Sequence, residues 1–268
     1  MEVGTVSAGA WRCHRVVTRG GPRHARVLGR HGASGGLSSR SAADVKAAVE
    51  RLRTEGIDAY GRQCDMAEFA EVEALRDEAL RHGALDIWVN NAGSSGVYGP
   101  TAFTPVEDFA RVVRTNILGT FHGSRVALPV FLGQGDGDLV NVYGQGDQRP
   151  VALQNAYASS KRWVRQFTET LRAETKNTGV RVHGMNPGLV VTDMLGSVTS
   201  QWGYEQRLGG CRWSSASGVR PRRSPHNPSY ASPPPTSPSS ATSRRRRRWD
   251  EAYGTCWQAA SAAATACR

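Results

Sequence analysis

Between residues 41 and 195 two hydrophobic rhythms alternate along the chain. Val45, Val49 and Leu52 recur every three to four residues within 41–55, the spacing of one buried helix face, with Ser41 placed to cap its start. Residues 57–65 then read as a strand ending in Cys64-Asp65, 68–81 as a second helix, and the apolar run Leu85-Asp86-Ile87-Trp88-Val89 as a strand buried on both faces. The pattern predicts further helix over 106–116 and 120–131, a strand over 138–142, a long helix over 155–175 and a strand over 180–184. Strands separated by helices of ten or more residues predict parallel βαβ units with right-handed crossovers, an α/β fold with one doubly wound parallel sheet. Ligands of such sheets bind beyond the carboxyl ends of the strands. Asp65, Asn90, Tyr143 and Pro187 fall at such ends.

The flanks follow neither rhythm. Residues 1–40 hold seven Arg and no Lys, and residues 196–268 hold eleven Arg and no Lys, including the run from Arg244 to Arg248 and the Ser232-Pro233-Pro234-Pro235 stretch. The chain therefore divides into an atypical segment 1–40, a core 41–200, and a basic, low-complexity tail 201–268 that reads as disordered. The formal charge of +11 belongs to these ends, because residues 41–195 carry 16 Lys and Arg against 19 Asp and Glu. It says nothing about the ligand of the core. Cys64 is alone in the core, and Cys13, Cys211, Cys256 and Cys267 show neither metal-ligand spacing nor a disulfide framework. With no apolar run near the ~18 residues of a membrane span and no apolar segment at residues 1–10, the expectation is a cytoplasmic protein without metal.

Chemistry concentrates at Tyr157-Ala158-Ser159-Ser160-Lys161. Residues four apart share one helix face, so a phenol and an ammonium stand together. A nearby cation favours the phenolate, which predicts a Tyr157 able to exchange a proton near neutral pH. That is the requirement for reducing a carbonyl or oxidising an alcohol. Alone the spacing is common on solvated helices. It gains weight from Asn90-Asn91-Ala92-Gly93 after a buried strand, from Asn116 within Thr115-Asn116-Ile117-Leu118-Gly119, and from Asn186-Pro187-Gly188 after another strand. In this order the segments resemble the short-chain dehydrogenase/reductase family over roughly residues 40–195.

The resemblance implies a Rossmann-like sheet, a nicotinamide cofactor, a small-molecule carbonyl or alcohol substrate, and pairing into homodimers or homotetramers through the helices at 120–131 and 155–175. It assigns Tyr157 as general acid or base, Lys161 as the residue that tunes Tyr157 and bonds the nicotinamide ribose, and Asn116 as the holder of a relay water. Asn90, Asn91, Ala92 and Gly93 would lie beside the adenine ribose, Asp65 against the adenine, and Pro187, Gly188 and Thr192 against the carboxamide. Arg40, at the expected end of the second strand, would pair with a 2′-phosphate and favour NADP(H), NAD(H) being the alternative. Each residue has a plainer competing reading: a half-buried helix Tyr, a solvated Lys, a helix-end Asn, a turn Asp, a Pro-Gly turn.

Two departures stand against the family pattern. The Gly-rich turn that carries pyrophosphate at a helix N-terminus should fall within His14-Arg15-Val16-Val17-Thr18-Arg19-Gly20-Gly21, which lacks it, and Gly32-Ala33-Ser34-Gly35-Gly36 lies too near Arg40 to serve. Reading the codons of residues 13–22 one base later permits Val-Thr-Gly-Ser-Ser-Arg-Gly-Val-Gly, so residues before about Arg40 are readable as an out-of-frame first βαβ unit. A second shift would follow Gln201, and a divergent genuine terminus is the alternative. The family also places a Ser about 13 residues before the Tyr, and position 144 is Gly, leaving Tyr143 or Gln145 to contact the substrate oxygen. This Asn-x-x-Gly-x-Gly loop resembles that of the chlorophyll b reductase-like branch. Three functions therefore compete: a hydride-transferring oxidoreductase, a Rossmann-like module unable to bind nucleotide, and, least supported, nucleic-acid binding through the Arg-rich tail, which has no aromatic platform or recognition helix.

Overall fold

The computed structural model describes residues 15–19, 25–26, 29, 33–187, 199–201, 204 and 222–223. Six parallel strands make its main sheet, β1 (Arg15–Arg19), β2 (Ser34–Ser39), β3 (Ala59–Gln63), β4 (Ile87–Asn90), β6 (Gly137–Val142) and β7 (Val180–Met185), in the order β3-β2-β1-β4-β6-β7. A short strand, β5 (Val97–Tyr98), belongs to a second parallel sheet with β8 (Thr199–Ser200) and β9 (Arg222–Arg223). The order of the main sheet runs outward from β1 in one direction and from β4 in the other. That reversal makes the fold Rossmann-like and opens a crevice at the carboxyl ends where β1 meets β4. Thr18 is in register with Val89 at that point.

Helices follow the predicted rhythm closely. α1 (Ala42–Thr54) starts at Ser41, whose Oγ accepts the Asp44 N–H at 3.1 Å, and buries Val45, Val49 and Leu52. α2 (Phe69–Arg81) buries Val72, Leu75 and Ala79. The two helices predicted at 106–116 and 120–131 are instead one continuous run: α3 (Val106–Val112), a π-helical turn over Val113–Leu118, and α4 (Gly119–Gln134). A π turn inserts a residue without breaking the helix and is frequent at functional sites. It carries Asn116. α5 (Asn155–Glu174) buries Lys161, Val164, Thr168 and Leu171 along one stripe.

The core sits under the β4–β6–β7 half, where Trp88, Phe131, Leu139, Val126, Leu171 and Val182 pack between the sheet and the helices. A smaller cluster of Ala25, Leu37, Val45, Val49, Leu52, Ile57 and Ala59 holds β2 and β3 against α1. Residues 15–39, whose sequence shows no strand rhythm, supply both β1 and β2. Ser34-Gly35-Gly36, rejected as a phosphate turn, is the buried start of β2. Gly36 is required there, since a Cβ would come within 2.8 Å of the Tyr60 ring, and that ring is itself stacked on His82.

Candidate active site

Asn90 ends β4 with 5% of its surface exposed, and every polar atom of its amide is used. Its Oδ1 accepts from Trp88 Nε1 at 2.9 Å, and its Nδ2 donates to Asn141 Oδ1 at 2.9 Å, Ser124 Oγ at 3.1 Å and the Thr120 carbonyl at 3.3 Å. Asn141 in turn donates to Thr168 Oγ1 at 3.0 Å, which tethers β6 to α5. Gly123 makes this possible, because a side chain there would overlap Asn90 Oδ1. Asn90 is thus the hub of a satisfied buried network joining β4, β6, α4 and α5, and it fixes the carboxyl edge of the sheet.

Beside that edge lies a small, partly open hollow lined by Ser38, Met66, Asn90, Asn91, Ala92 and Gly119, among others. Ser38 Oγ is buried in its wall without a hydrogen-bond partner. A buried hydroxyl left unpaired costs free energy that a polar ligand would recover. The wall therefore fits a ligand with hydroxyls or ring nitrogens. Ser38 is a residue that sequence reading missed, since nothing marks it within a Ser- and Gly-rich stretch. Gly93 adjoins this wall, half-buried. Arg40 follows β2 directly and is exposed, its carbonyl accepting from Gln63 Nε2. Asp65 is half-buried, and its Oδ1 accepts the Ala67 N–H at 3.0 Å, closing a local turn.

Tyr157 and Lys161 stand one turn apart on α5, with Lys161 Nζ 5.8 Å from the Tyr157 ring centre. The solvated reading of Lys161 is excluded, for it is 4% exposed and donates to the Val142 carbonyl at 2.9 Å. Burial pushes its ammonium down to about 8, against an opposing pull from the Asp147 carboxylate. The expectation that Lys161 makes Tyr157 more acidic does not hold in this state. Burial pushes the phenol above its ordinary value, and the negative charge of Asp147 pushes it further. The larger cause is desolvation, which penalises the charged phenolate.

Asn116 is 1% exposed and joins this pair to the β4 edge. Its Nδ2 donates to Ser160 Oγ at 2.8 Å and to the Ser94 carbonyl at 3.1 Å, and its Oδ1 accepts the Ser94 N–H at 2.7 Å. Ser160 Oγ donates to the Tyr157 carbonyl at 2.7 Å. The π turn aims Asn116 at α5, a geometry that no helical periodicity reveals.

Gly144 follows β6, and a Cβ built on it would collide with the Tyr157 hydroxyl. The phenol therefore occupies the space in which a side chain at 144 would start. Of the two residues proposed to replace a Ser there, Tyr143 is buried with its hydroxyl against Gly184, and Gln145 is exposed on the loop. Pro187 is exposed at the end of the segment after β7. Gly188, Thr192, Gly20, Gly21 and the Arg244–Arg248 run lie outside the described residues. No described helix is long and apolar enough to cross a membrane.

Comparison with known proteins agrees with this geometry. The short chain dehydrogenase family profile matches residues 20–202, beginning earlier than the segment legible by motif. A Streptomyces coelicolor protein named for ketoacyl reduction is 35% identical over 181 residues, covering 66% of this chain and 69% of its own. The chloroplastic chlorophyll(ide) b reductase NOL of Arabidopsis thaliana is 38% identical over 177 residues, 62% of this chain but only 50% of that one. Among solved structures, a Phe-to-Trp variant of actinorhodin polyketide ketoreductase with NADPH superposes with a TM-score of 0.67 at 31% identity, covering 74% of this chain and 76% of that one. A doubly wound sheet with a saturated Asn hub and a Tyr–Lys pair at its carboxyl edge, matched over two thirds of its length by one profile, places the chain in the short-chain dehydrogenase/reductase family of oxidoreductases.

Proposed function

We propose that the protein transfers hydride between NADP(H), with NAD(H) as the alternative, and a carbonyl or alcohol substrate, with Tyr157 as the proton donor and acceptor. The observation that carries this reading is the buried Lys161 beside Tyr157 at the sheet edge, held by the Val142 carbonyl. A lysine buried at such cost in a cleft beside a tyrosine marks a functional-site candidate. The bound dinucleotide would supply the hydride. Ser38, Asn90, Asn91, Ala92 and Gly93 would hold its adenosine half, with Asp65 at the adenine and Arg40 at a 2′-phosphate, and Lys161, Pro187, Gly188 and Thr192 its nicotinamide half.

With its phenol pushed up, Tyr157 keeps its proton at neutral pH, which suits it to protonate a carbonyl oxygen as that oxygen gains charge. Lys161 stabilises the phenolate left behind, and Asn116 holds α5 and the β4 edge at fixed separation through Ser160 and Ser94. The second contact to the substrate oxygen falls to Gln145, the exposed amide of the loop. Exposed Phe121, which lies 6.3 Å from Phe167, and Trp163 stacked on Phe167 give α4 and α5 an aromatic face suited to pairing two copies. Light scattering of the full chain showing only monomer would overturn that pairing.

The competing reading is an inert module, favoured by the absence of a side chain at Gly144 and of a Gly-rich turn within residues 14–21. The frame-shifted origin proposed for residues before about Arg40 belongs to this reading and is decided by the nucleotide sequence. Tyr157→Phe separates the two. It should lower carbonyl reduction by about a hundredfold or more while leaving NADPH titration unchanged, and a wild type that neither binds NADPH nor reduces any carbonyl of a panel supports the inert module.

A further inference from the structure

The loop after β6 packs against the first turn of α5 at Tyr157 and Ala158 and carries a carboxylate outside the motifs named above. Asp147 is 4% exposed, although it sits in a loop of Gly, Gln and Arg. Gly146, at φ +101°, lies so close to Ala158 on the first turn of α5 that no Cβ would fit. Asp147 is thereby pinned beside Tyr157. Its N–H donates to the Gly144 carbonyl at 3.2 Å, and its own carbonyl accepts from Arg162 at 3.0 Å. Its Oδ2 accepts from Arg165 at 3.2 Å and its Oδ1 from Asn186 Nδ2 at 3.3 Å. One residue thus ties together the Gly144 turn through its backbone N–H, and α5 with the turn after β7 through its carboxylate.

We propose that Asp147 is a positioning residue of this site, which clamps the Gly144 loop to α5 and sets a buried carboxylate beside the Tyr157–Lys161 pair. The inference rests on the reading of Tyr157 as the proton donor and deepens it by naming the residue that holds the loop and sets the charge beside that donor. Among the described residues, the charged and titratable groups around Asp147 are few. From α5 come Arg165, Arg162, Lys161 and Tyr157, and from the end of β6 comes Tyr143, over whose ring Arg165 lies at 5.6 Å. Asn186 is the uncharged contact from β7, and Arg165 shares itself with Glu169 at 3.4 Å. Arg165 therefore neutralises part of the Asp147 charge, and Tyr157 and Lys161 feel the remainder. The same carboxylate opposes ionisation of Tyr157 and supports protonation of Lys161, as Coulomb's law requires in a buried setting.

The test is an ultraviolet titration of phenolate absorbance in the full-length protein, each variant read against its own Tyr157→Phe double so that only Tyr157 is counted. Asp147→Asn keeps size and hydrogen bonding and removes the charge. Tyr157 should then ionise about one pH unit lower, and the alkaline fall of carbonyl reduction should move down with it. Arg165→Gln should move both the other way, and Asp147→Glu should restore the wild-type position. Opposite shifts are beyond a merely structural clamp. Superimposable Tyr157 titrations in wild type, Asp147→Asn and Arg165→Gln would overturn the proposal. Should Asp147→Asn not fold, Asp147→Ser, which also removes the charge, takes its place in the comparison. Because the titration needs no turnover, a protein that reduces nothing would refute the oxidoreductase reading while leaving the Asp147 result readable.

Discussion

The two halves of the sheet reach the same geometry by different means. β4 is Ile-Trp-Val-Asn, and its own side chains hold it: Trp88 is 1% exposed and Asn90 makes four hydrogen bonds within the network. β2 is Ser-Gly-Gly-Leu-Ser-Ser, and only Leu37 brings a large apolar side chain. It is buried because neighbours fill the space its glycines leave, Tyr60 over Gly36 and Ala25 against Gly35. A strand can be specified by what it carries or by what surrounds it. The second kind leaves little trace in its own residues.

The contrast can be broken at its strongest point first. Asn90→Ala removes the hub and leaves Trp88 Nε1, Asn141 Oδ1 and Ser124 Oγ short of partners in a buried site, so urea unfolding should show a loss of about 3–5 kcal/mol. A loss below ~1 kcal/mol would mean that water replaces the network. Lys161 tests the same half for a buried charge. Its folded value is about 8, below the ordinary lysine value of roughly 10.4, so between these pH values the unfolded chain holds a proton that the folded chain lacks. Stability should therefore rise with pH across that window, by about 3 kcal/mol. Lys161→Met should abolish that rise, and parallel stability profiles for the two proteins from pH 7.5 to 10.5 would show that Lys161 is not desolvated. In the other half, Gly36→Val sets a branched side chain against the Tyr60–His82 stack and should cost about 1–3 kcal/mol, measured the same way. An unchanged midpoint would mean that β2 has room to spare and is not shaped by its neighbours.

The Tyr157–Lys161 pair and the hub differ in a parallel way. Every polar group bonded to Asn90 is drawn into one network, which makes that end rigid. At the Tyr157 end, Gly144 offers no donor, and the phenol rests against its backbone. The family resemblance singled out both from their order along the chain, but Asp147, which contacts α5 through Arg162 and Arg165, has no motif around it. The wall of the neighbouring cavity likewise includes Ser38, which looks like any serine in a polar stretch.

Periodicity alone was enough to identify α1, α2, α5, β4, β6 and β7, because each buries one stripe or one run of its own side chains and that regularity is local. Motif spacing alone marked Tyr157, Lys161, Asn116 and Asn90, because they recur at set distances from those elements. Tertiary structure decided the rest. It made strands of residues 15–19 and 34–39 through pairing with β4 and β3, merged two expected helices through a π turn, and drew Asp147 inward against α5. It also reversed the expected acidity of Tyr157. Pairing partners, burial and charge at a distance are properties of the assembled chain, and no window of sequence contains them.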